Sequence, residues 1–156
     1  MSEPILNLEM IVQVGIIVRD IEASARQFCD LFGCDMPTIH QTAGYAVTET
    51  TFNGQPSEAT AKLAFFDAGQ MQIELIQPDE RPSTWRNHLD EKGEGVHHIA
   101  FKVKDTDETV RRLEERGIPM VQQGLYSSRD GVYTYLDSVP QLGVTLELLQ
   151  NFLSPR

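Results

Sequence analysis

Four polar side chains interrupt apolar, strand-like stretches of the sequence, and together they could bind one metal ion. They are Gln13 in IVQVGII, Glu74 in MQIELIQ, His98 in VHHIAFK and Glu147 in GVTLELLQ. An amide oxygen, an imidazole and two carboxylates form a mixed oxygen and nitrogen ligand set that suits Mg, Mn, Fe, Co, Ni or Zn. The two carboxylates would neutralise a divalent ion, and such an ion can polarise a substrate carbonyl and stabilise an enolate.

Each of the four residues has a more ordinary explanation when taken alone. A single Gln in a strand is usually a surface residue, and a single Glu in an apolar run often forms a salt bridge. An internal repeat favours the metal site instead. Residues 13–36, QVGIIVRDIEASARQFCDLFGCDM, parallel residues 98–120, HIAFKVKDTDETVRRLEERGIPM, and GQMQIELIQ at 69–77 parallels LGVTLELLQ at 142–150.

The repeat places the four residues in two equivalent pairs. Because side chains alternate between the faces of a strand, Gln13 and His98 each lie on the face that points away from the following helix. Glu74 and Glu147 are equivalent in the closing strands of the two halves. Two halves related by a pseudo-twofold axis would bring both pairs to one point. Four buried polar groups there would be unfavourable without a common partner, so we predict one bound divalent cation.

Each half is predicted to fold as a βαβββ module. The opening segments 11–18 and 96–103 are apolar and contain β-branched residues, which is typical of strands. Asp20 and Asp105 are suited to cap the helices that follow. Further strands are predicted at 43–52, 60–67 and 70–77 in the first half, and at 119–123, 131–136 and 143–149 in the second.

The predicted organisation is therefore one α+β domain over residues 1–156. Its two modules cover about 9–80 and 95–151, and a linker helix near 83–91 joins them. A chain of 156 residues that is 40% hydrophobic can form one core of this size.

Charge and hydropathy exclude some partners. A net charge of −10 argues against nucleic acid, because phosphate binding needs a concentrated basic surface. No apolar run approaches the roughly 20 residues that cross a bilayer, and no basic-then-apolar leader is present. We therefore expect a cytoplasmic protein without a membrane partner. Cys29 and Cys34 are expected to be reduced thiols.

The motifs QVGIIVRD, MQIELIQP, GVHHIAFKV and GVTLELLQ together resemble the vicinal oxygen chelate superfamily. This superfamily contains glyoxalase I, methylmalonyl-CoA epimerase, extradiol dioxygenases and bleomycin-resistance proteins, and the resemblance extends from about Ile11 to Gln150. It implies tandem βαβββ modules that form an open, cupped β-barrel around a metal ion. It also implies a homodimer. The ligand positions of the superfamily coincide with Gln13, Glu74, His98 and Glu147.

Within the superfamily, the stretch IELIQPDERP…LDEKGEGVHHIAFKV most resembles methylmalonyl-CoA epimerase. It implies a divalent-metal-dependent epimerase or isomerase that acts, through a metal-stabilised enolate, on a 2-substituted malonyl-CoA-type substrate. The small-molecule partner would be an acyl-CoA or another thioester. Epimerases usually have a His where this chain has Gln13.

Two alternatives stay open. The Gln, Glu, His, Glu set resembles eukaryotic glyoxalase I, which implies a lactoylglutathione lyase. The positions of the basic glutathione contacts in that branch are occupied here by Ile17 and Glu94, which favours the epimerase. The second alternative is a non-catalytic small-molecule-binding protein of the same fold, which would usually lack the complete ligand set.

The epimerase resemblance also suggests roles in proton transfer. Glu147 is the first candidate for moving the proton, with Glu74 beside it. The family uses a further Glu that is not a ligand, and Lys62 aligns with that position. Lys62 could act there only if burial lowered the pKa of its amine.

Three more residues are candidates for substrate binding. Tyr133 and Tyr135 share one face of a predicted strand and could line the cup. Arg129 lies in the turn SSRDG, where a basic residue could meet a carboxylate or a phosphate. His97, in contrast, is expected to face the apolar side of its strand as a core histidine.

Overall fold

The computed structural model describes residues 3–154. Its strands are β1 Ile11–Ile17, β2 His40–Gln41, β3 Thr51–Phe52, β4 Gln55–Pro56, β5 Ala61–Ala68, β6 Met71–Pro78, β7 Gly95–Lys102, β8 Met120–Leu125, β9 Gly131–Leu136 and β10 Thr145–Asn151. They form one curled sheet in the order β2-β5-β6-β1-β7-β10-β9-β8-β3-β4. The helices are α1 Ile21–Phe32, α2 Tyr45–Thr48, α3 Thr84–Lys92, α4 Thr106–Glu114 and α5 Val139–Leu142, and a 3₁₀ turn covers Leu8–Met10.

The order of strands is symmetric about the centre of the sheet. Strands β1 and β7 pair antiparallel there, and each pairs in parallel with the closing strand of its own half, β6 or β10. Next come β5 on one side and β9 on the other, both antiparallel to their neighbours. This arrangement confirms the predicted α+β fold of tandem βαβββ modules forming an open, cupped sheet.

The two long helices begin where the capping residues predict. The Asp20 carboxylate accepts a hydrogen bond from the backbone N–H of Ala23 at 3.0 Å, and Asp105 accepts one from Glu108 at 3.0 Å. At the end of α1, Gly33 has a left-handed backbone with φ of 67°. Such a backbone costs glycine little and allows the chain to leave the helix.

The predicted strand at 43–52 is wrong. Only Thr51–Phe52 forms a strand there, while Tyr45–Thr48 forms a helical turn. Contacts from distant residues stabilise this turn: the Glu58 carboxylate accepts from the N–H of Tyr45 at 3.1 Å, and Arg129 Nη1 donates to the carbonyl of Val47 at 2.5 Å. These contacts outweigh the preference of β-branched residues for strands.

The short hairpin after this turn extends the sheet of the other half. Strand β3 pairs with β4 and also with β8, so residues of the first half continue the edge of the second half. The connection ties the two halves together on the side opposite the β1–β7 pair.

The core consists of three apolar clusters. One lies under α1 and contains Val18, Ile21 and Leu75; another lies under α4 and contains Phe101 and Leu148. The third joins α3 to the centre of the sheet through Ile17, Ile76, Trp85, Leu89 and Tyr135. Helix α3 thus packs over the strands from which the candidate site is built. Within residues 3–154, every helix is too short or too polar to cross a bilayer.

Candidate metal centre

The four predicted ligands lie on the four central strands with a register that repeats in both halves. Gln13 and His98 occupy β1 and β7, and the residue two positions after each of them pairs with a glutamate. Gly15 pairs with Glu74, and Ala100 pairs with Glu147. Across the β1–β7 pair, Gln13 faces Ala100 and Gly15 faces His98. The pairing therefore follows the predicted pseudo-twofold axis.

The structure brings the four side chains into contact. His98 Nε2 lies 2.9 Å from Glu147 Oε2, 3.4 Å from Glu74 Oε2 and 2.9 Å from Gln13 Oε1. Donor atoms of Glu74, His98 and Glu147 all lie within 4.8 Å of one another. The four residues are buried, with His98 completely inaccessible and Glu74 only 6% exposed.

The Gln13 amide has two useful orientations. With its oxygen toward His98, its nitrogen donates to Gln72 Oε1 at 2.8 Å, so Gln72 holds the oxygen inward as a ligand atom. With the amide turned over, its nitrogen lies 3.1 Å from Glu74 Oε2 and 3.0 Å from Glu147 Oε2. In the second orientation the amide donates to the two carboxylates.

A small residue at position 15 makes room for the His98 ring. A Cβ atom on Gly15 would lie 2.0 Å from His98 Cε1 and 2.5 Å from His98 Nε2. The backbone of Gly15 is an ordinary strand, so the glycine is required by the close approach of the imidazole rather than by an unusual dihedral angle.

His97 is buried, as expected of a core histidine, but it does not simply face an apolar layer. The register between β1 and β7 shifts at this point, because Gly15 pairs with His98 and Ile16 pairs with Val96. His97 is the extra residue of a β-bulge, which re-aims its side chain. As a result His97 Nδ1 lies 3.0 Å from His98 Nδ1, and His97 Nε2 lies 3.1 Å from Thr84 Oγ1.

The pKa values reflect the mixture of burial and charge. Burial alone would lower the pKa of His98, but the carboxylates of Glu147 and Glu74 outweigh it and raise this pKa to about 10. Burial raises the pKa of Glu74 despite the neighbouring imidazole. Burial also lowers the pKa of His97 to well below its usual value, and the charge of His98 lowers it further. In the metal-free cluster a proton on His98 thus balances the carboxylates.

The residues present fit a divalent cation. Two buried carboxylates supply two negative charges, and an imidazole nitrogen and an amide oxygen complete a set that hard and borderline metals accept. Buried carboxylates are costly unless a cation or a proton neutralises them, and here both of them point at the same atom. The Glu74, His98 and Glu147 group can therefore hold a metal ion.

A cavity of about 570 Å³ opens onto this cluster. Gln13, Glu74 and Glu147 line it, whereas His98 is not among the described residues in its wall. The large apolar and aromatic residues of the wall are Leu63, Phe65, Trp85, Leu125, Tyr126, Tyr133, Tyr135 and Leu149. This volume suits a small organic ligand, with the polar cluster at one point of a largely apolar surface.

Two of the predicted substrate-binding residues lie in this wall. Tyr133 and Tyr135 both line the cavity, as their shared strand face predicts. The Tyr135 hydroxyl accepts a hydrogen bond from Trp85 Nε1 at 3.0 Å. The Tyr133 hydroxyl lies 3.2 Å from Thr50 Oγ1 and accepts from Gln122 Nε2 at 3.3 Å.

The structure does not bring the other two to the cavity. Lys62 is exposed on β5, on the face opposite Leu63 and Phe65, and it does not belong to the described lining. Alternation along the strand gives the reason, since neighbours of a lining residue point away. Arg129 is half-buried and its guanidinium reaches the Val47 carbonyl, so it connects the turn to α2 instead of entering the cavity.

Several lining residues were missed from the sequence. Tyr126 and His40 carry no periodic signal that marks them as site residues, whereas Gln72 lies two residues before Glu74 on the same strand face; the structure places all three in the wall. Lys102 also lines the cavity at its exposed rim. By strand alternation Lys102 lies on the same face of β7 as His98, and this could have identified it from the sequence. None of the ion pairs formed among residues 3–154 includes Lys102.

Comparison with known proteins decides the family. Residues 12–135 match the family described as the Glyoxalase/Bleomycin resistance protein/Dioxygenase superfamily, which is the vicinal oxygen chelate superfamily. The chain belongs to this superfamily. The predicted resemblance is therefore confirmed for most of the chain. A similar curated protein is the uncharacterized protein YqjC of Bacillus subtilis (strain 168), 33% identical over 66 residues. That match covers 42% of this chain and 47% of YqjC, so the chain spans less than half of that relative.

Solved structures of the superfamily share the fold. Methylmalonyl-CoA epimerase from Mycobacterium tuberculosis is 22% identical with a TM-score of 0.63, covering 97% of this chain and 92% of that one. A methylmalonyl-CoA epimerase in complex with methylmalonyl-CoA and NH₄⁺ gives the same identity and TM-score, with coverage of 96% and 99%. A variant of the Streptomyces coelicolor epimerase in complex with 2-nitronate-propionyl-CoA is also 22% identical, with a TM-score of 0.63 and coverage of 93% and 99%. These structures show that the superfamily fold extends over nearly the whole chain.

Proposed function

We propose that this protein is a divalent-metal-dependent epimerase or isomerase that moves the α-proton of a 2-substituted malonyl-CoA-type thioester through an enolate. The observation that carries the proposal is the convergence of Gln13, Glu74, His98 and Glu147 at one point beside the cavity. Epimerases of the same fold, some of them with acyl-CoA ligands, support the choice of substrate class.

The four clustered residues would hold the cation. Bound there, it would polarise the substrate carbonyls and make the proton between them more acidic. His98 is fully buried behind the cavity wall, so its role is limited to ligation. Gln13 would offer its amide oxygen while its nitrogen donates to Gln72.

Glu147 and Glu74 are the groups that can move the proton, because both are acidic and both line the cavity. They approach from opposite flanks of the β1–β7 pair, on β10 and β6 respectively. Epimerisation needs one group to remove the proton and another to return it to the opposite face. We assign Glu147 as the base that removes the proton and Glu74 as the group that returns a proton to the opposite face.

The cavity wall would position the substrate. The Tyr135 hydroxyl accepts from Trp85, so its own proton is available to a substrate carbonyl or carboxylate. Tyr133 would contribute its ring face, because its hydroxyl already lies between Thr50 and Gln122. Lys102 at the rim would meet the anionic part of a CoA thioester, while the apolar wall accepts the alkyl group.

Proton exchange at the α-carbon tests the proposal. Purified protein should contain stoichiometric divalent metal and should exchange the α-proton of methylmalonyl-CoA with deuterated water. Changing Glu147→Gln should reduce the exchange by roughly 10²–10⁴-fold, the usual contribution of a positioned acid or base. The exposed Glu91→Gln is the matched control and should keep full activity.

Two results would overturn the proposal. Metal-free protein that binds small molecules without exchanging any proton would indicate a binding protein of the same fold. Turnover of the glutathione–methylglyoxal adduct, without exchange in any malonyl thioester, would indicate the lactoylglutathione lyase, which the Gln13-containing ligand set resembles. Against the lyase, Ile17 is buried in the core and Glu94 accepts a hydrogen bond from the Arg19 N–H, so neither position offers a cation to glutathione.

A homodimer and a cytoplasmic location complete the proposal. Both are implied by the superfamily resemblance or by the composition rather than by contacts within one chain. The boundaries of the modules, 9–80 and 95–151, are likewise proposed. Light scattering of the purified protein measures the oligomeric state directly, and a monomer would remove the dimer from the proposal.

A further inference from the structure

His97 makes the hydrogen bond that decides which ring nitrogen of His98 faces the cluster. The two Nδ1 atoms lie 3.0 Å apart, and both imidazoles are buried, with 3% and 0% of their surfaces exposed. Nitrogen atoms at this separation share one proton, so one ring donates and the other accepts. A neutral imidazole has one N–H. If His98 donates from Nδ1, its Nε2 therefore carries a lone pair and no proton.

The second hydrogen bond of His97 is compatible with acceptance at Nδ1, because a threonine hydroxyl can accept a proton from Nε2. His97 Nε2 lies 3.1 Å from Thr84 Oγ1, in the first turn of α3. If His97 accepts at Nδ1, its own proton lies on Nε2 and donates to the Thr84 hydroxyl. The backbone N–H of Thr84 in turn donates to Gln122 Oε1 at 2.9 Å, so Thr84 is itself held in place.

We infer that His97 is a positioning residue of the metal centre: it accepts the Nδ1 proton of His98 and leaves the Nε2 lone pair free for the cation. Thr84 holds His97 in this role. The inference rests on the proposed function, because a cation is what needs the lone pair. Hydrogen-bonded partners of this kind orient metal-binding imidazoles in many proteins. A neutral partner adds no further charge to a cluster that already contains two carboxylates.

Two aromatic rings contact the ring of His97. Its ring centroid lies 5.1 Å from that of Tyr135 and 5.4 Å from that of His88, both in edge-on contacts. The bulge in β7 places the ring beside His98 instead of on the other face of the sheet. The bulge and the Thr84 hydroxyl thus direct Nδ1 toward His98.

Zinc binding to the full chain, measured with and without the His97 acceptor, tests the inference. His97→Leu should lower the Zn²⁺ affinity about 10–100-fold, as loss of such a partner usually does. His97→Asn keeps a short acceptor near the position of Nδ1 and should restore most of the affinity. His88→Leu is the matched control, because it removes a ring that touches His97 without breaking the chain of hydrogen bonds. The Zn²⁺ affinity of His88→Leu should equal that of the unchanged protein.

Nitrogen-15 spectra of labelled histidines give a readout that packing alone would not change. In the zinc-loaded protein His98 should show a protonated Nδ1 and a metal-bound Nε2, and His97 a protonated Nε2. Equal affinity losses in His97→Leu and His97→Asn, or the opposite tautomer of His98, would overturn the inference. If His97→Leu does not fold, two variants of Thr84 test the inference instead. Thr84→Val removes the hydroxyl and should weaken zinc binding, whereas Thr84→Ser keeps the hydroxyl and should not. Unchanged protein that binds no divalent cation would instead refute the proposed function.

Discussion

At His98 Nε2 a metal ion and a proton compete for the same atom. The carboxylates of Glu147 and Glu74 raise the pKa of His98 to about 10, against the opposing effect of burial. Both carboxylates would also bind the cation, so the groups that attract the metal are the ones that attract the proton. Metal binding to such a site releases protons.

This competition predicts how zinc affinity depends on pH. Below the pKa of about 10, a cation must displace the His98 proton, so raising the pH removes the competitor. The apparent Zn²⁺ affinity should therefore rise roughly tenfold per pH unit between about pH 7 and 9. Calorimetry in buffers of different ionisation enthalpy measures the affinity and the released proton together. Binding that is independent of pH would contradict a protonated His98 in the metal-free protein.

Gly15→Ala should abolish metal binding while the sheet survives. The new methyl group would lie 2.0 Å from the His98 ring, so the ring must move. We expect a loss of Zn²⁺ affinity of at least about 10²-fold, since displacing a ligand removes more than the 10- to 100-fold contributed by its hydrogen-bonded partners. Gly44→Ala is the matched control, because its Cβ meets only the flexible end of Glu58, at 3.0 Å. Equal zinc affinity in both variants would show that His98 has room to move.

At the scale of elements, residues 42–50, which we term the strap, line one side of the cavity and depend on distant contacts for their conformation. Ser127 Oγ accepts from the N–H of Ala43 at 2.9 Å, and Arg129 donates to the Val47 carbonyl. These contacts join the strap, which contains α2, to the turn between β8 and β9. These distant contacts add to the local hydrogen bonds of α2, such as that from the Glu49 N–H to the Tyr45 carbonyl at 2.8 Å.

Removing one of these contacts should loosen the strap selectively. Ser127→Ala leaves the Ala43 N–H without its acceptor, at a cost of about 1 kcal/mol for a single hydrogen bond. Hydrogen exchange at Ala43 and through α2 should become faster, and the KM of the substrate should rise, while the zinc affinity stays the same. Ser128→Ala is the control, because the Ser128 hydroxyl contacts Asp130 within its own turn. Unchanged exchange in the strap would show that other contacts suffice.

At the scale of the whole molecule, the metal would connect the two modules. Its four ligands come from β1, β6, β7 and β10, two strands from each half. A cation bound to the folded state alone stabilises that state in proportion to the logarithm of its concentration. The same ion would thus stabilise the junction between the modules as well as the active site.

Zinc should therefore raise the melting temperature of the protein. At a concentration of 100 times Kd, binding contributes about 2.7 kcal/mol, which for a chain of this size corresponds to an increase of roughly 5–10 °C. Differential scanning calorimetry with zinc and then with excess chelator measures the change. His98→Gln should show no increase, because it lacks the central ligand. A zinc-dependent increase in that variant would place the ion elsewhere.

Periodicity and the internal repeat were sufficient to predict the four clustered residues and most of the sheet. Both signals are local: alternation assigns Gln13, His98, Glu74 and Glu147 to faces, and the repeat makes them equivalent. The capping residues Asp20 and Asp105 are local too, and they begin the helices where expected. A twofold relation between similar halves then leaves little freedom in where these side chains meet.

Tertiary structure alone decided the features that break the repeat. Residues more than 80 positions away bond to the strap and hold its helical turn beside the cavity, and no local pattern contains that information. His97 turns toward His98 because the register of β7 against β1 shifts by one residue, whereas alternation sends neighbouring side chains to opposite faces. Local composition specifies which face a side chain takes, but the pairing of distant strands decides which groups it touches.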